Sequence, residues 1–328
     1  MKSFFIRLLF AAVILTYMHG CFNTDNSTNP SITDSNNSKN IKEYAGNDLL
    51  DFPGNPILTK YNTLTEYGPY FGRVIYDENK FKMWYANSHG NDKYDIGYAE
   101  SYDGFTWYII NGLAIQAGPP GSWDSYGVRP GAVIKENNVY KMYYCGQSKP
   151  NNYRSLKTGL AISYDGKTWY KSSEETTTII NINGLTTDII KIEDIYYLYY
   201  GNNKIIGVAT SPDGLRWEKS DHSIINATEQ WEGGGVWSCT IIKDKDRYKM
   251  LYTNKYLNAF GYAESLDCLH WTKKSTPMFT FHEANKMWPF DIRYPVIRKV
   301  SQTYYIFYST VSLKWECKMG VAVASRLK

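Results

Sequence analysis

The chain has 328 residues, of which 43% are hydrophobic, 16% aromatic and 21% charged. That is enough apolar material for a large buried core, and the length is compatible with one domain. The formal net charge of +4 is small and dispersed, with no Lys/Arg-rich run, which argues against nucleic acid as a partner.

The N-terminus carries Lys2 and Arg7, an apolar run from Leu8 to Tyr17, and then Met18-His19-Gly20-Cys21. A basic start followed by a short apolar stretch reads as an export signal over residues 1–20, too short for a retained membrane helix. A small residue directly before a cysteine resembles the bacterial lipobox. The resemblance implies cleavage before Cys21, lipid attachment there, and a place in the bacterial cell envelope; an ordinary cleaved secretory signal is the alternative. Residues 21–43, rich in Asn, Ser and Thr, read as a solvated tether.

From residue 44 to 328 the sequence repeats itself. Each unit opens with an apolar pair, as in Val74-Ile75, Val133-Ile134, Ile189-Ile190 and Ile241-Ile242. An aromatic run follows, such as Lys82-Met83-Trp84-Tyr85 or Lys249-Met250-Leu251-Tyr252, and then Gly-x-Ala. The turn Ser-x-Asp-Gly-x-x-Trp comes next, at Ser101–Trp107, Ser163–Trp169, Ser211–Trp217 and, with Cys268 in place of glycine, Ser265–Trp271. The aspartate accepts backbone N–H groups and the glycine takes a positive φ, so the chain reverses tightly. Cys268 lacks that freedom, which predicts a strained or different turn.

The β-branched and aromatic bias predicts four short strands per unit. A fifth unit starts at Val296-Ile297 and ends without its turn or tryptophan. Such units arranged radially make an all-β, five-bladed propeller of four-stranded antiparallel blades. The segment from Glu43 to Phe52 is expected to close the ring as the missing outer strand and to cover an exposed edge.

Four cysteines follow Cys21. Cys145 and Cys239 are expected on inner strands as small buried hydrophobes, whereas Cys268 and Cys317, in neighbouring blades, are close enough to be candidates for pairing. No Cys/His spacing matches a zinc site, and no cofactor is expected.

Asn55-Pro56-Ile57-Leu58, Trp123-Asp124 ahead of Val133-Ile134, and Gly-x-Ala-x-Ser-x-Asp-Gly-x-x-Trp together resemble the five-bladed glycosidase propellers. These are the arabinanase, levansucrase and invertase-like proteins of glycoside hydrolase families 43, 32 and 130. The resemblance covers the whole repeat region and implies an oligo- or polysaccharide partner and a central funnel presenting carboxylates; the chain is expected to be a monomer. It also implies a first-blade carboxylate three residues before the strand valine, where this chain has Phe71.

Cleaving a glycosidic bond needs two carboxyl groups, about 5 Å apart for retention or roughly 6.5 to 9.5 Å apart for inversion. The acidic residues near the inner-strand starts are Glu66, Asp124, Asp188, Glu232 and Asp291, with Asp188 as base or modulator and Glu232 as acid the preferred pair. Arg73, Arg129 and Arg293 fall in the same region and suit a carboxylate, sulfate or phosphate group, so an anionic sugar is a candidate ligand. Phe71, Trp237 and Tyr294 are candidate stacking surfaces. Two further readings remain open: a carbohydrate-binding or surface scaffold without catalysis, and a phosphorylase whose arginines hold inorganic phosphate.

Overall fold

In the computed structural model, residues 49–63, 66–90, 93–150, 156–173, 182, 184–281, 291–312 and 316–327 are described. The export signal, Cys21, the tether and residues 44–48 lie outside them. Among the described residues no helix is long and apolar enough to cross a membrane.

The strands in chain order are β1 (Leu50–Asp51); β2 (Pro69–Asp77), β3 (Lys80–Ser88), β4 (Tyr94–Ser101) and β5 (Tyr108–Ile115); β6 (Gly127–Glu136), β7 (Val139–Gln147), β8 (Lys157–Ser163) and β9 (Tyr170–Lys171). Then come β10 (Leu185–Ile192), β11 (Ile195–Gly201), β12 (Ile205–Ser211), β13 (Glu218–Lys219) and β14 (Ile225–Asn226); β15 (Val236–Asp244), β16 (Arg247–Asn254), β17 (Ala259–Ser265), β18 (Thr272–Lys273) and β19 (Phe279–Thr280); and β20 (Arg293–Val300), β21 (Thr303–Val311) and β22 (Cys317–Ala324). They form five antiparallel sheets, β2-β3-β4-β5, β6-β7-β8-β9, β10-β11-β12-β13, β15-β16-β17-β18 and β1-β22-β21-β20, taken below as blades 1 to 5. The first strand of each blade touches the first strand of the next, and β20 touches β2, so the ring is closed.

Closure comes from the N-terminal side, as expected. β1 pairs with β22 through Leu50↔Val323 and Asp51↔Ala322, supplying the outer strand that the truncated fifth unit lacks. Asn55 secures the junction: its Nδ2 donates to the Val321 carbonyl and its Oδ1 accepts the Val321 N–H, at 2.9 and 3.0 Å.

The recurring Gly-x-Ala has a steric cause. Its glycine stands opposite a second-strand tyrosine in every blade, in the pairs Tyr85↔Gly97, Tyr144↔Gly159, Tyr200↔Gly207, Tyr252↔Gly261 and Tyr308↔Gly320. In four of them the ring lies across the glycine, so that a Cβ at Gly261 would stand 2.1 Å from Tyr252 Cζ. In blade 2 Trp123 takes that space, 2.6 Å from the same point on Gly159.

All four turns use one hydrogen-bond pattern. The serine Oγ accepts the N–H of Gly104, Gly166, Gly214 or Cys268, and the aspartate Oδ1 accepts the next two N–H groups. Cys268 adopts φ 66°, so its turn is of the same type, entered by a residue that strains there. Its carbonyl accepts Tyr199 Oη from blade 3, just as Gly166 accepts Trp84 Nε1 and Gly214 accepts Tyr143 Oη from the blade before. The turn is therefore also a blade-to-blade joint.

A second joint lies where the inner hairpins turn. Asp77 is bonded by Lys82 of its own blade and by Lys135 and Tyr140 of blade 2. Glu136 repeats this with Lys141, Lys191 and Tyr196, and Asp244 with Lys249, Lys299 and Tyr304. The other two junctions are apolar: Ile192, Tyr197 and Tyr248 share one cluster, and Val300, Phe81 and Tyr305 another.

All four later cysteines are free and buried, so Cys268 and Cys317 form no disulfide. Cys239 lies on inner strand β15, but Cys145 lies on β7, the second strand of its blade, because the inner strand there is β6.

Candidate functional site at the propeller axis

Register defines the mouth. The inner hairpins close at Asp77↔Lys80, Glu136↔Val139, Ile192↔Ile195, Asp244↔Arg247 and Val300↔Thr303. Seven residues upstream stand Tyr70, Arg129, Leu185, Trp237 and Arg293, one from each blade; four upstream stand Arg73, Ala132, Asp188, Thr240 and Val296. Between the two rings every inner strand slips register, at Tyr70/Arg73, Arg129/Ala132, Thr186/Asp188, Val236/Cys239 and Arg293/Val296. A bulge repeated at one depth in all five blades re-aims side chains near the axis. In blades 1 and 5 it places Phe71 and Tyr294 at φ 51° and 53°, strained conformations for aromatic residues.

The bulge brings these aromatics together. Phe71 and Tyr294 have ring centroids 4.3 Å apart, Tyr70 stands edge-on to Tyr294 at 5.5 Å, and the Arg129 guanidinium lies 5.6 Å from the Phe71 ring and 4.3 Å from that of Tyr94. Burial raises the Tyr294 phenol, and the charges of Arg293, Arg129 and Arg73 all pull it the other way. Trp237 is half-buried at the same level of blade 4, its Nε1 donating to the Lys255 carbonyl at 3.3 Å.

The arginines differ in their partners. Arg293 donates through Nε to Asp291 Oδ2 at 2.7 Å, again through its Nη2, and through Nη1 to Tyr70 Oη at 2.6 Å. Burial works against its charge, but Asp291 overrides that and holds the guanidinium well above its ordinary value. Arg129 donates to Gln147 Oε1 at 3.0 Å. Arg73, 3% exposed, donates to the Gly72 carbonyl, while its Nε has no partner. Burial lowers its pKa and the charge of Asp188 only partly offsets this. The guanidinium stays protonated in an environment that poorly solvates it.

Asp188 stands in the inner ring but its oxygens are committed. Oδ1 accepts the Ile189 N–H at 2.9 Å, and Oδ2 accepts Thr240 Oγ1 and the Ile241 N–H at 2.8 Å each. Thr240 Oγ1 in turn accepts the Ile297 N–H, so blades 3, 4 and 5 are stitched along the axis. Asp188 also faces two arginines electrostatically, Arg73 and Arg298.

Asp124 and Glu232 do not reach the mouth; they clamp the outer flanks of blades 2 and 4. Glu232, fully buried in the turn before β15, accepts the Thr228 and Glu229 N–H groups, Tyr252 Oη at 2.6 Å, and Lys273 Nζ of outer strand β18 at 2.7 and 2.8 Å. Burial pushes its pKa up, but these donors outweigh it and keep the carboxylate ionised, opposite to what a proton donor requires. Asp124 repeats the arrangement with Tyr144 Oη at 3.2 Å and Lys171 Nζ of β9 at 2.6 Å. Trp123 stacks on Tyr144 and Trp231 on Tyr252. The sequence held the signal: Trp-acid stands five residues before a strand valine in both blades, and Lys171 and Lys273 each follow the turn tryptophan by two.

Of the remaining candidates, Asp291 is tied to Arg293 and to the Val311 N–H, and Glu66 is exposed just before β2. Among the described residues no group of three or more His, Cys, Asp or Glu side chains is arranged to hold a metal.

Fold and site together define a closed five-bladed propeller with an arginine- and aromatic-lined axial mouth. No family profile matches the chain. Two proteins of Mycobacterium tuberculosis, the uncharacterized proteins MT1551 (strain CDC 1551 / Oshkosh) and Rv1502 (strain ATCC 25618 / H37Rv), are each 28% identical over 129 residues. That match covers 38% of this chain and 40% of either relative. Among solved structures, a glycosyl hydrolase from Bacteroides ovatus superposes with a TM-score of 0.66 at 15% identity, covering 84% of this chain and 92% of that one. A thermostable family-43 glycoside hydrolase gives 0.61 at 18% identity over 78% and 88%. A structure from the family 130 work on mannoside phosphorylases and β-1,2-mannosidic linkages in Candida mannan gives 0.66 at 15% identity over 84% and 93%. The chain shares the five-bladed fold of these glycoside hydrolases.

Proposed function

We propose that the protein handles glycans at the axial mouth and recognises a sugar bearing an acidic group. The observation that carries this is Arg73: a buried cation in the inner ring, on blade 1, with an unpartnered Nε, facing an aspartate whose oxygens are already bonded. A ligand carboxylate or sulfate adds the countercharge that Asp188 only partly supplies, and a planar guanidinium matches its two oxygens. The half-buried Trp237 offers a face for a sugar ring.

Recognition without cleavage is the function that this geometry supports best. Glu232 and Asp124 are held on blade flanks with lysines, which leaves Asp188 and Asp291 as the candidate carboxylates near the axis among the described residues. Cleavage by those two is the second reading, favoured by their position on or just before the inner strands of blades 3 and 5. Envelope anchoring through Cys21 belongs to the same proposal, since it would present the mouth to extracellular glycans.

The test is to incubate the purified protein with neutral and acidic oligosaccharides, with and without phosphate, while following both binding and product formation. Saturable binding of acidic oligomers without product supports recognition. Turnover lost in Asp291→Asn with folding intact establishes the second reading, and phosphate-dependent turnover establishes a phosphorylase. Binding of no glycan overturns the proposal.

A further inference from the structure

Blade 1 breaks the flank pattern of the other blades. Ile109 stands two residues after the turn tryptophan, where blades 2, 3 and 4 carry Lys171, Lys219 and Lys273. In blades 2, 4 and 5 the second-strand tyrosine meets a carboxylate: Tyr144 with Asp124, Tyr252 with Glu232 and Tyr308 with Asp51. In blade 3 Lys219 Nζ lies 5.6 Å from the Tyr200 ring.

The outer strand β5 also leaves its partner. Ile96 pairs with Ile115 and Tyr98 with Ile110, so several residues of β5 bulge outward around Gly112, at φ 96°. Beneath the bulge is a cavity of about 220 Å³ lined by Tyr85, Asn87, Gly97, Ile109, Ile110 and Leu113. Asn87, 5% exposed, has an Oδ1 without a hydrogen-bond partner. Burial alone raises Tyr85, to about 12, so its phenol is neutral at ordinary pH.

We propose that this flank cavity is a second ligand site, separate from the axial mouth, that takes one uncharged, ring-sized sugar unit. Its volume falls below the about 300–1,000 Å³ of sites for drug-sized ligands, which limits it to a single small ring. No lining side chain is charged, which selects against acidic groups. Ile109, on the same face as Tyr85, and Leu113 supply an apolar wall for the C–H face of a pyranose, and the Asn87 amide and Tyr85 hydroxyl supply polar partners for its hydroxyls.

Saturation-transfer NMR on the full protein, with the methyl glycosides of glucose, galactose and mannose and with glycerol as control, tests the site. At least one glycoside is expected to saturate in the millimolar range, with glycerol silent. Ile109→Lys, which puts back the lysine of the other blades, and Asn87→Leu are each expected to weaken binding about tenfold or more with the melting temperature held. Arg73→Met is expected to leave it unchanged, which separates this site from the mouth. No glycoside binding, binding equal to that of glycerol, or binding that Ile109→Lys and Asn87→Leu leave intact would overturn the proposal.

Discussion

The flanks of blades 2 and 4 and the axial mouth both bury charge, but they resolve it in opposite ways. On the flanks each carboxylate is met by a lysine from the outer strand, a tyrosine and, at Glu232, two backbone N–H groups, so nothing remains for a ligand. At the axis Asp188 spends its oxygens on Thr240 and backbone N–H groups, so it faces Arg73 without bonding it and leaves Arg73 Nε unpartnered. A buried ion with a full shell is architecture, and one without it is a place for a counterion.

Breaking the flank clamp is expected to have the largest effect. Glu232→Gln leaves Lys273 without its partner and should cost about 3 kcal/mol or more in denaturant unfolding. Asp124→Asn, whose Lys171 is more exposed, should cost less, about 1–3 kcal/mol. If both variants keep wild-type stability, the flank reading fails.

Gly261→Ala sharpens the same contrast from the packing side, because the new methyl would collide with the Tyr252 ring that presents its hydroxyl to Glu232. A loss of about 1–3 kcal/mol is expected, and an unchanged melting temperature would contradict it.

The hairpin joints should give the smallest effect, full at neutral pH and lost in acid. Burial opposes the Asp77 charge, but Tyr140, Lys135 and Lys82 bring its pKa down to about 2, and Lys191, Tyr196 and Lys141 bring Glu136 to about 2. Both are depressed below the unfolded values of about 4, so their contribution is complete above that pH and fades as pH falls toward 2. Asp77→Asn combined with Glu136→Gln should flatten stability against pH within that window. An unchanged slope would exclude these joints from acid unfolding.

Much of the architecture was legible because each blade repeats short-range chemistry: apolar pair, aromatic run, Gly-x-Ala, and a turn whose serine and aspartate bond their own backbone. Ring closure could be inferred from the missing fifth turn. The site was less legible. Asp124 and Glu232 precede inner strands just as mouth residues do, and their outward placement depends on lysines from strands about forty residues later. The pattern of Trp-acid with a later Trp-x-Lys encodes that clamp, but only a three-dimensional pairing gives it meaning. Arg73 was placed near the axis by its spacing from Val74, whereas its lack of a bonded anion follows from Asp188 reaching across to blade 4.

The most direct test of the central claim is a calorimetric titration of the protein and of Arg73→Met with a galacturonate oligomer and with its carboxyl-reduced, neutral counterpart. The acidic oligomer is expected to bind about tenfold tighter or more, to weaken with added salt, and to lose its advantage in Arg73→Met without loss of folding. Equal affinity for the two oligomers, or discrimination that survives Arg73→Met, would contradict it.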